Sequence, residues 1–127
     1  MNENNIGKAI VDSAVKIHQK TGPGLLESVY ETILAHQLRR NGFQVKRQVL
    51  IPIKYDGLRF EAGFRADLVI EDKVIVELKC VDKLTNAHRK QLLTYLRLTG
   101  LHLGYLLNFN ESLMKYGIHR TVNGLSE

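Results

Sequence analysis

Two neighbouring segments of alternating polarity, residues 65–70 and 73–80, constrain the fold of this 127-residue chain more than any other feature. A period of two is typical of β-strands, and the short gap between the segments predicts an antiparallel hairpin. If Ile70 lies opposite Val74, one face of the hairpin is apolar throughout. That face holds Ala66, Leu68, Ile70, Val74, Val76, Leu78 and Cys80. The other face gathers Arg65, Asp67, Glu77 and Lys79 at one end, with Asp67 opposite Glu77.

The pattern itself therefore brings two carboxylates and a lysine together, because a shift of one residue would turn charged side chains into the core. This register requires a three-residue turn or a bulge at residues 71–73. Two close carboxylates repel each other unless a cation or a proton lies between them. Their hard oxygens suit Mg²⁺ or Mn²⁺, and such a metal lowers the pKa of its bound water. With an ammonium to stabilise charge on phosphorus, these groups are the ones that phosphodiester hydrolysis requires.

The same three residues also allow a purely structural interpretation. Lys79 would then neutralise Asp67 and Glu77 in a cross-strand cluster of salt bridges. A Glu-x-Lys triplet is weak evidence for a site on its own. The residues alone leave both interpretations open.

Periodicity along the rest of the chain predicts an α/β domain around one mixed sheet. Helical spacing of apolar residues predicts helices over residues 6–20, 25–40 and 86–99. Alternation and apolar runs predict strands over residues 45–55, 58–70, 73–80, 103–109 and 118–122. Thr85 or Asn86 is expected to cap the third helix, and Gly100 to follow its end.

Length and composition point to one soluble domain spanning residues 1–127. No apolar run reaches the ~18 residues of a membrane span, and the first five residues lack the features of a signal peptide. Cys80 is the only cysteine, so a reducing, cytoplasmic setting is expected. One cysteine and five scattered histidines disfavour a zinc site. The net charge of +5 is compatible with a polyanionic partner, and equally with none.

The spacing of the charged residues resembles a known family pattern. Asp67, followed after nine residues by Glu77-Leu78-Lys79, resembles the Asp…(Asp/Glu)-x-Lys motif of the PD-(D/E)XK nuclease-like superfamily. The segment Gly24-Leu25-Leu26-Glu27-Ser28-Val29-Tyr30 resembles the motif that names the GxxExxY proteins, a branch of that superfamily. Residues 65–68, 76–79, 91–96, 98–100 and 107–109 are similar to that branch too, so the resemblance spans roughly residues 6–123. It implies a restriction-endonuclease-like core with the order αβββαβ.

The resemblance also implies roles for individual residues. Asp67 and Glu77 would bind metal together with Glu27, and Lys79 would assist catalysis. Gln91, on the helix after the lysine, would line the same pocket. One departure is that Ala66, and not proline, precedes Asp67, at a position that varies widely in the superfamily.

Three of the candidate residues have ordinary structural alternatives. Glu27 also fits a first helical turn, where the dipole favours a carboxylate, with Gly24 as the cap. Arg65 is expected either to contact phosphate or to form a structural ion pair. His88 is expected either to contact phosphate or to be an ordinary surface histidine.

The leading functional hypothesis is a metal-dependent nuclease that cuts DNA or RNA with Mg²⁺ or Mn²⁺. The alternative is a nucleic-acid-binding or regulatory module that keeps the fold with little or no activity. In a third hypothesis the charged cluster only stabilises the sheet. A homodimer stays open, because a small nuclease that cuts both strands commonly needs two copies. No membrane partner is expected.

Overall fold

The architecture of residues 2–126, which the computed structural model describes, confirms the predicted α/β class and element order. The helices are α1 (Glu3–Thr21), α2 (Glu27–Arg40) and α3 (Asn86–Thr99). The strands are β1 (Val45–Tyr55), β2 (Leu58–Ile70), β3 (Val74–Lys79), β4 (Leu103–Asn108) and β5 (Ile118–Val122). A short 3₁₀ helix at Met114–Tyr116 was not predicted. The two ends of the predicted domain, Met1 and Glu127, lie outside the described residues.

The five strands form one mixed sheet in the order β1-β2-β3-β4-β5. β3 and β4 are parallel, and every other neighbouring pair is antiparallel. A parallel pair needs a crossover connection, and α3 supplies it between β3 and β4. The crossover therefore lays α3 over the sheet next to the predicted carboxylates. No helix within residues 2–126 is long and apolar enough to span a membrane.

Of the three helix-end residues considered in the sequence, the two at the ends of α3 are confirmed and the one at the start of α2 is not. Thr85 caps α3, and its hydroxyl accepts a hydrogen bond from the His88 amide at 3.2 Å. Gly100 ends α3 with a φ of 74°, in the left-handed region that favours glycine. The expectation that Gly24 caps α2 is wrong, because Leu26 occupies that position and provides no side-chain hydrogen bond.

Two apolar cores lie on opposite faces of the sheet. α1 and α2 cover one face, where Leu68, Ile70 and Val76 are buried. α3 covers the other face, where it packs on Val69 and Ile75. The sheet is therefore the middle layer of three.

The expectation that Ala66 shares a face with Leu68 is wrong. Ala66 is buried in the core of α3 with Leu92. The alternation changes at this point because Gln48 of β1, which lies between the pairs Arg47–Leu68 and Val49–Ala66, has a φ of 50°. A left-handed residue interrupts the regular strand conformation, although the pairing of β1 with β2 stays one-to-one on both sides of Gln48. The far part of the β1–β2 hairpin therefore faces α3.

We expect substitutions in the two buried cores to destabilise the protein more than substitutions at exposed positions. Leu107→Ala removes a fully buried side chain of β4 and should lower the free energy of unfolding by about 2–5 kcal/mol. Leu50→Ala changes a side chain that is 54% exposed and should change the free energy of unfolding by less than about 0.5 kcal/mol. Urea denaturation of both variants measures the difference, and equal losses would contradict this description of the core.

Candidate active site

Asp67 and Glu77, called the acid pair below, lie at the point where the backbone pairing of β2 with β3 ends. The backbone pairs of these strands are Ile70–Val74, Val69–Ile75 and Leu68–Val76, which confirms the predicted register. The turn between them is the required three-residue segment 71–73, closed by a hydrogen bond from the amide of residue 73 to the carbonyl of residue 70 at 3.0 Å. The backbone pairing ends at Leu68–Val76, so Asp67 and Glu77 stand at the next positions.

Side chains replace the backbone ladder at this point. The Leu78 amide donates a hydrogen bond to Asp67 Oδ2 at 2.9 Å. The Asp67 amide donates to Glu77 Oε2 at 3.3 Å. The two carboxyl groups are also hydrogen-bonded to each other. The predicted contact between these side chains is therefore present, and it is fixed from both strands.

Burial controls the charge of the acid pair. Glu77 is only 5% exposed. This burial, followed by the hydrogen bond and the negative charge of Asp67, raises the pKa of Glu77 to about 9, although Lys79 acts in the opposite direction. At neutral pH, and without a cation, Glu77 therefore keeps its proton and donates it in the hydrogen bond to Asp67. This proton lies between the two carboxyl groups and removes the repulsion that two ionised carboxylates would have.

Glu27, the first residue of α2, lies close enough to Asp67 and Lys79 for their charges to act on its carboxyl group. The residue is largely exposed, yet partial burial of its carboxyl group is the largest cause that raises its pKa. The negative charge of Asp67 raises the pKa further, and the positive charge of Lys79 lowers it. The four charged groups therefore belong to one electrostatic cluster, as the sequence predicted for three of them and the resemblance for Glu27.

Tyr30 fixes the loop that leads into α2 and so positions Glu27. Its ring is completely buried, and its hydroxyl donates to the Gly22 carbonyl at 2.5 Å and accepts from the Leu25 amide at 3.2 Å. Gly24, between those two residues, has a φ of 107°, which an L side chain rarely adopts. The glycine and the tyrosine of this motif therefore fix the loop that ends where Glu27 begins α2.

Asn108 holds the chain immediately after Lys79, and sequence reasoning assigned it no role. Its fully buried amide group donates to the Val81 carbonyl at 2.8 Å and accepts from the Val81 amide at 3.1 Å. The Lys79 carbonyl accepts from the Phe109 amide at 3.0 Å. These bonds fix the backbone that carries Lys79. The signals for Asn108 were its place in the segment 107–109, which resembles the family, and a polar residue at the end of an apolar run.

A second buried carboxylate, Glu31, joins α2 to the site and was also missed. Arg47 donates two hydrogen bonds to Glu31 Oε2, at 3.1 and 3.0 Å. Gln48 Nε2 donates to Glu31 Oε1 at 2.5 Å and lies 3.4 Å from Asp67 Oδ1. The position of Glu31, four residues after Glu27 on one helical face, was the available signal.

Tyr95 and Gln91 lie on the same stripe of α3, but only Tyr95 is influenced by the acid pair. Tyr95 stacks on Phe64 with 3.8 Å between ring centroids, and its pKa is raised by burial and then by Glu77 and Asp67, so this side chain faces the acid pair. Gln91, one turn earlier on the same stripe, is exposed and makes no hydrogen bond to the pair within residues 2–126. Its role stays a prediction.

His88 and Arg65 have contrasting surroundings. His88 Nδ1 accepts a hydrogen bond from the Thr85 amide at 3.1 Å, so the ring completes the cap of α3 and its proton is on Nε2. The expectation that Arg65 shares the face of Asp67 is wrong, because its neighbours Phe64 and Ala66 both face α3, which turns Arg65 to the opposite face of the sheet. Arg65 is exposed on β2 opposite Leu50, and within the described part of the chain it forms no salt bridge. The structural ion pair considered for Arg65 is therefore absent there, and phosphate contact by either residue stays a prediction.

The donor chemistry of the site fits a hard divalent cation, but its side chains are not gathered as a complete ligand set. Carboxylate oxygens are the ligands that Mg²⁺ and Mn²⁺ prefer. Among residues 2–126, however, no three His, Cys, Asp or Glu side chains are grouped closely enough to hold a metal ion. Mg²⁺ usually keeps several waters and binds through one or two carboxylates plus substrate phosphates. The acid pair alone can therefore meet the requirement, with Glu27 nearby.

A five-stranded mixed sheet flanked by helices, with an acid pair and a lysine where two strands separate, is a restriction-endonuclease-like α/β fold. The model of the PD-(D/E)XK nuclease superfamily matches residues 4–121, and the chain belongs to this superfamily. Among solved structures, the crystal structure of SSO0001 is similar with a TM-score of 0.50 and 16% identity, over 95% of this chain and 79% of that one. This likeness shows the fold alone. No curated protein matches the chain.

The raised pKa of Glu77 predicts a specific dependence of stability on pH. The folded state holds a proton that the unfolded state releases near the ordinary pKa of 4.5, so the contribution is complete below that value and is lost as the pH rises toward about 9. Glu77→Gln keeps a donor to Asp67 without this proton. Without divalent metal, its stability relative to the parent should increase by up to about 1.4 kcal/mol per pH unit in that window. Denaturation at pH 5, 7 and 9 measures the change.

The control for this experiment is Glu61→Gln, which changes a carboxylate that is 80% exposed. Its stability relative to the parent should stay constant between pH 5 and 9. If Glu77→Gln and Glu61→Gln show the same pH profile, Glu77 does not hold a proton in the folded state.

The buried hydroxyl of Tyr30 gives a second prediction for the site. Tyr30→Phe keeps the ring but leaves the Gly22 carbonyl and the Leu25 amide without their partner, which should cost about 1–3 kcal/mol of stability. Hydrogen exchange of the Leu25 amide should accelerate more than that of amides in the middle of α1. Tyr55→Phe, at a position that is 74% exposed, is the matched control. Unchanged exchange at Leu25 would show that the hydroxyl does not hold the loop.

Proposed function

We propose that this protein is a metal-dependent nuclease that hydrolyses phosphodiester bonds in nucleic acid. The observation that supports it most is the hydrogen-bonded acid pair at the point where β2 and β3 separate, with Lys79 on the same strand as Glu77. Membership of the PD-(D/E)XK nuclease superfamily supports the same chemistry.

The proposed metal ligands are Asp67 and Glu77, with Glu27 as a further ligand. A bound Mg²⁺ or Mn²⁺ would supply an acidic water and neutralise negative charge on the phosphate. The chain itself orients the ligands, since the Leu78 amide holds Asp67 and burial holds Glu77. Glu77 must release its proton before it binds a cation, because both occupy the same position between the carboxyl groups. Metal binding is therefore expected to strengthen as the pH rises.

The proposed catalytic residues are Lys79 and Gln91. Lys79 Nζ would stabilise the attacking hydroxide or the charge that develops on phosphorus. Gln91 would orient water or phosphate from α3, where its exposed amide has no other partner within residues 2–126. Arg65 and His88 are proposed to contact the nucleic-acid backbone. Arg65 would use its guanidinium, which forms no salt bridge within residues 2–126, and His88 would use Nε2.

The second candidate is a nucleic-acid-binding or regulatory module with little or no activity. The observation in its favour is that Glu27 and the acid pair are not grouped as a three-ligand site. Such a module would bind nucleic acid without turnover.

Five finer assignments are part of the proposal. The chain is proposed to belong to the GxxExxY branch, supported by the loop that Gly24 and Tyr30 fix directly before Glu27. It is proposed to act as a single domain in the cytoplasm, with DNA or RNA as its partner. A homodimer is proposed for cleavage of both strands of a duplex.

A cleavage panel with Mg²⁺ and Mn²⁺, on single- and double-stranded DNA and RNA, tests the proposal. Lys79→Ala should reduce cleavage by about 10²–10³-fold, since a charge aimed at the transition state is lost. The same change removes positive charge next to the acid pair, so Mn²⁺ binding measured by calorimetry should persist or tighten. Asp67→Asn should abolish both binding and cleavage.

The matched control is Lys8→Ala, which removes an exposed lysine paired with Asp12 on α1. It should cleave as fast as the parent. If Lys79→Ala also cleaves at the parental rate, Lys79 is structural. If the parent binds nucleic acid but cleaves no substrate with either metal, the second candidate replaces the first.

A further inference from the structure

A second polar cluster, Arg89 of α3 and His119 of β5, lies on the same face of the sheet as Glu77. β4 pairs Leu106 with Glu77 on one side and with His119 on the other, so the three residues form one row across the sheet. Side chains in such a row share a face, and here α3 covers it, since Leu106 packs in the core of α3. Neighbouring strands are about 4.8 Å apart, which puts the His119 backbone about 10 Å from that of Glu77.

This Arg89–His119 cluster has no negative partner. Within residues 2–126, no salt bridge includes either side chain. The next charged residue of β5, Arg120, pairs with Tyr105, which lies in the core on the opposite face, so Arg89 is the charged group that faces His119 from α3. Burial and then the charge of Arg89 lower the pKa of His119. Two groups that carry or accept positive charge therefore lie side by side, and the described part of the chain provides no salt bridge to neutralise them.

The hydrogen bonds of Arg89 are also incomplete. Nη1 donates to Asn86 Oδ1 at 3.0 Å, whereas Nε is buried without an acceptor. A buried donor without a partner costs about 1–3 kcal/mol, and natural structures rarely keep one without a reason. The buried Nε and the bond of Nη1 to Asn86 restrict the guanidinium, so little of its freedom remains to be lost when a ligand binds.

We infer that Arg89 and His119 form a binding site for a backbone phosphate of the nucleic acid, separate from the phosphate at the acid pair. An arginine guanidinium recognises phosphate oxygens through parallel hydrogen bonds, and an imidazolium next to it adds a second charge. The separation of about 10 Å corresponds to about three nucleotides at 3.4 Å each. The inference rests on the proposed function, because it assigns a second contact to the same substrate.

Binding of nucleic acid without cleavage tests the site directly. Fluorescein-labelled DNA and RNA oligonucleotides are titrated in EDTA, and fluorescence anisotropy is followed at several salt concentrations. Arg89→Gln should weaken binding about tenfold, because a charged hydrogen bond to phosphate is lost. It should also reduce the slope of log K against log salt by about 0.7–0.9. Arg89→Lys keeps the charge, so it should keep the slope while losing several-fold in affinity.

Arg97→Gln is the matched control, since it removes the same charge from an exposed position two turns later on α3. It should leave affinity and slope within twofold of the parent. Equal losses in Arg89→Gln and Arg97→Gln would overturn the inference, because they would show a general effect of net charge.

Nuclear magnetic resonance of the histidine rings provides a readout that does not need nucleic acid or correct folding of an Arg89 variant. Inorganic phosphate added to the parent should raise the pKa of His119, because an anion next to the ring favours the imidazolium. The exposed His36 of α2 serves as the internal control and should not respond. An unchanged pKa of His119, or an equal change at His36, would overturn the inference.

The two proposals fail in different ways. If the parent cleaves its substrate and Arg89→Gln binds and cleaves like the parent, the phosphate site is wrong and the nuclease proposal stands. If phosphate raises the pKa of His119 while no nucleic acid is bound or cut, the phosphate site stands and the nuclease proposal falls.

Discussion

The hydrogen bond from the Leu78 amide to the Asp67 carboxylate is the contact on which the rest of the site depends. Backbone pairing between β2 and β3 ends at Leu68 and Val76, and the backbone groups beyond that pair would lack partners in a buried region. The carboxylate of Asp67 replaces a missing strand carbonyl. It thereby lets the two strands separate without a loss of hydrogen bonds, and the gap between them becomes the place where charged groups meet.

That replacement has an electrostatic cost, and the surrounding residues partly offset it. Glu77 is buried beside a carboxylate, and one lysine does not neutralise both. The proton that Glu77 keeps reduces the excess of negative charge. Asp67 is held further by Gln48, which also binds Glu31, the partner of Arg47. A group held in this way loses little freedom when it binds a ligand, so the cost of building the site at folding reduces the cost of binding later.

The sequence predicted the element order, the bounds of most strands and the register of β2 and β3, because apolar alternation and turn residues are local signals. It failed at Ala66, whose face depends on a left-handed residue in another strand, Gln48. It also failed at Asn108 and Glu31, whose partners lie 27 and about 16 residues away and have no fixed spacing. Asp67, Glu77 and Lys79 could be predicted together because the strand register alone determines their contact.

The loop before α2 shows why spacing in this chain is as informative as residue identity. The hydroxyl of Tyr30 bonds to Gly22 and Leu25 at the same time, so it closes the loop to a fixed length. Each residue advances a helix by about 100°, and Glu27 and Tyr30, three positions apart, share one side of α2. One residue inserted between them would turn the carboxylate away from the sheet although all three motif residues were still present. Evolution of this segment can therefore exchange the residues between Gly24 and Tyr30 other than Glu27, but it cannot change their number.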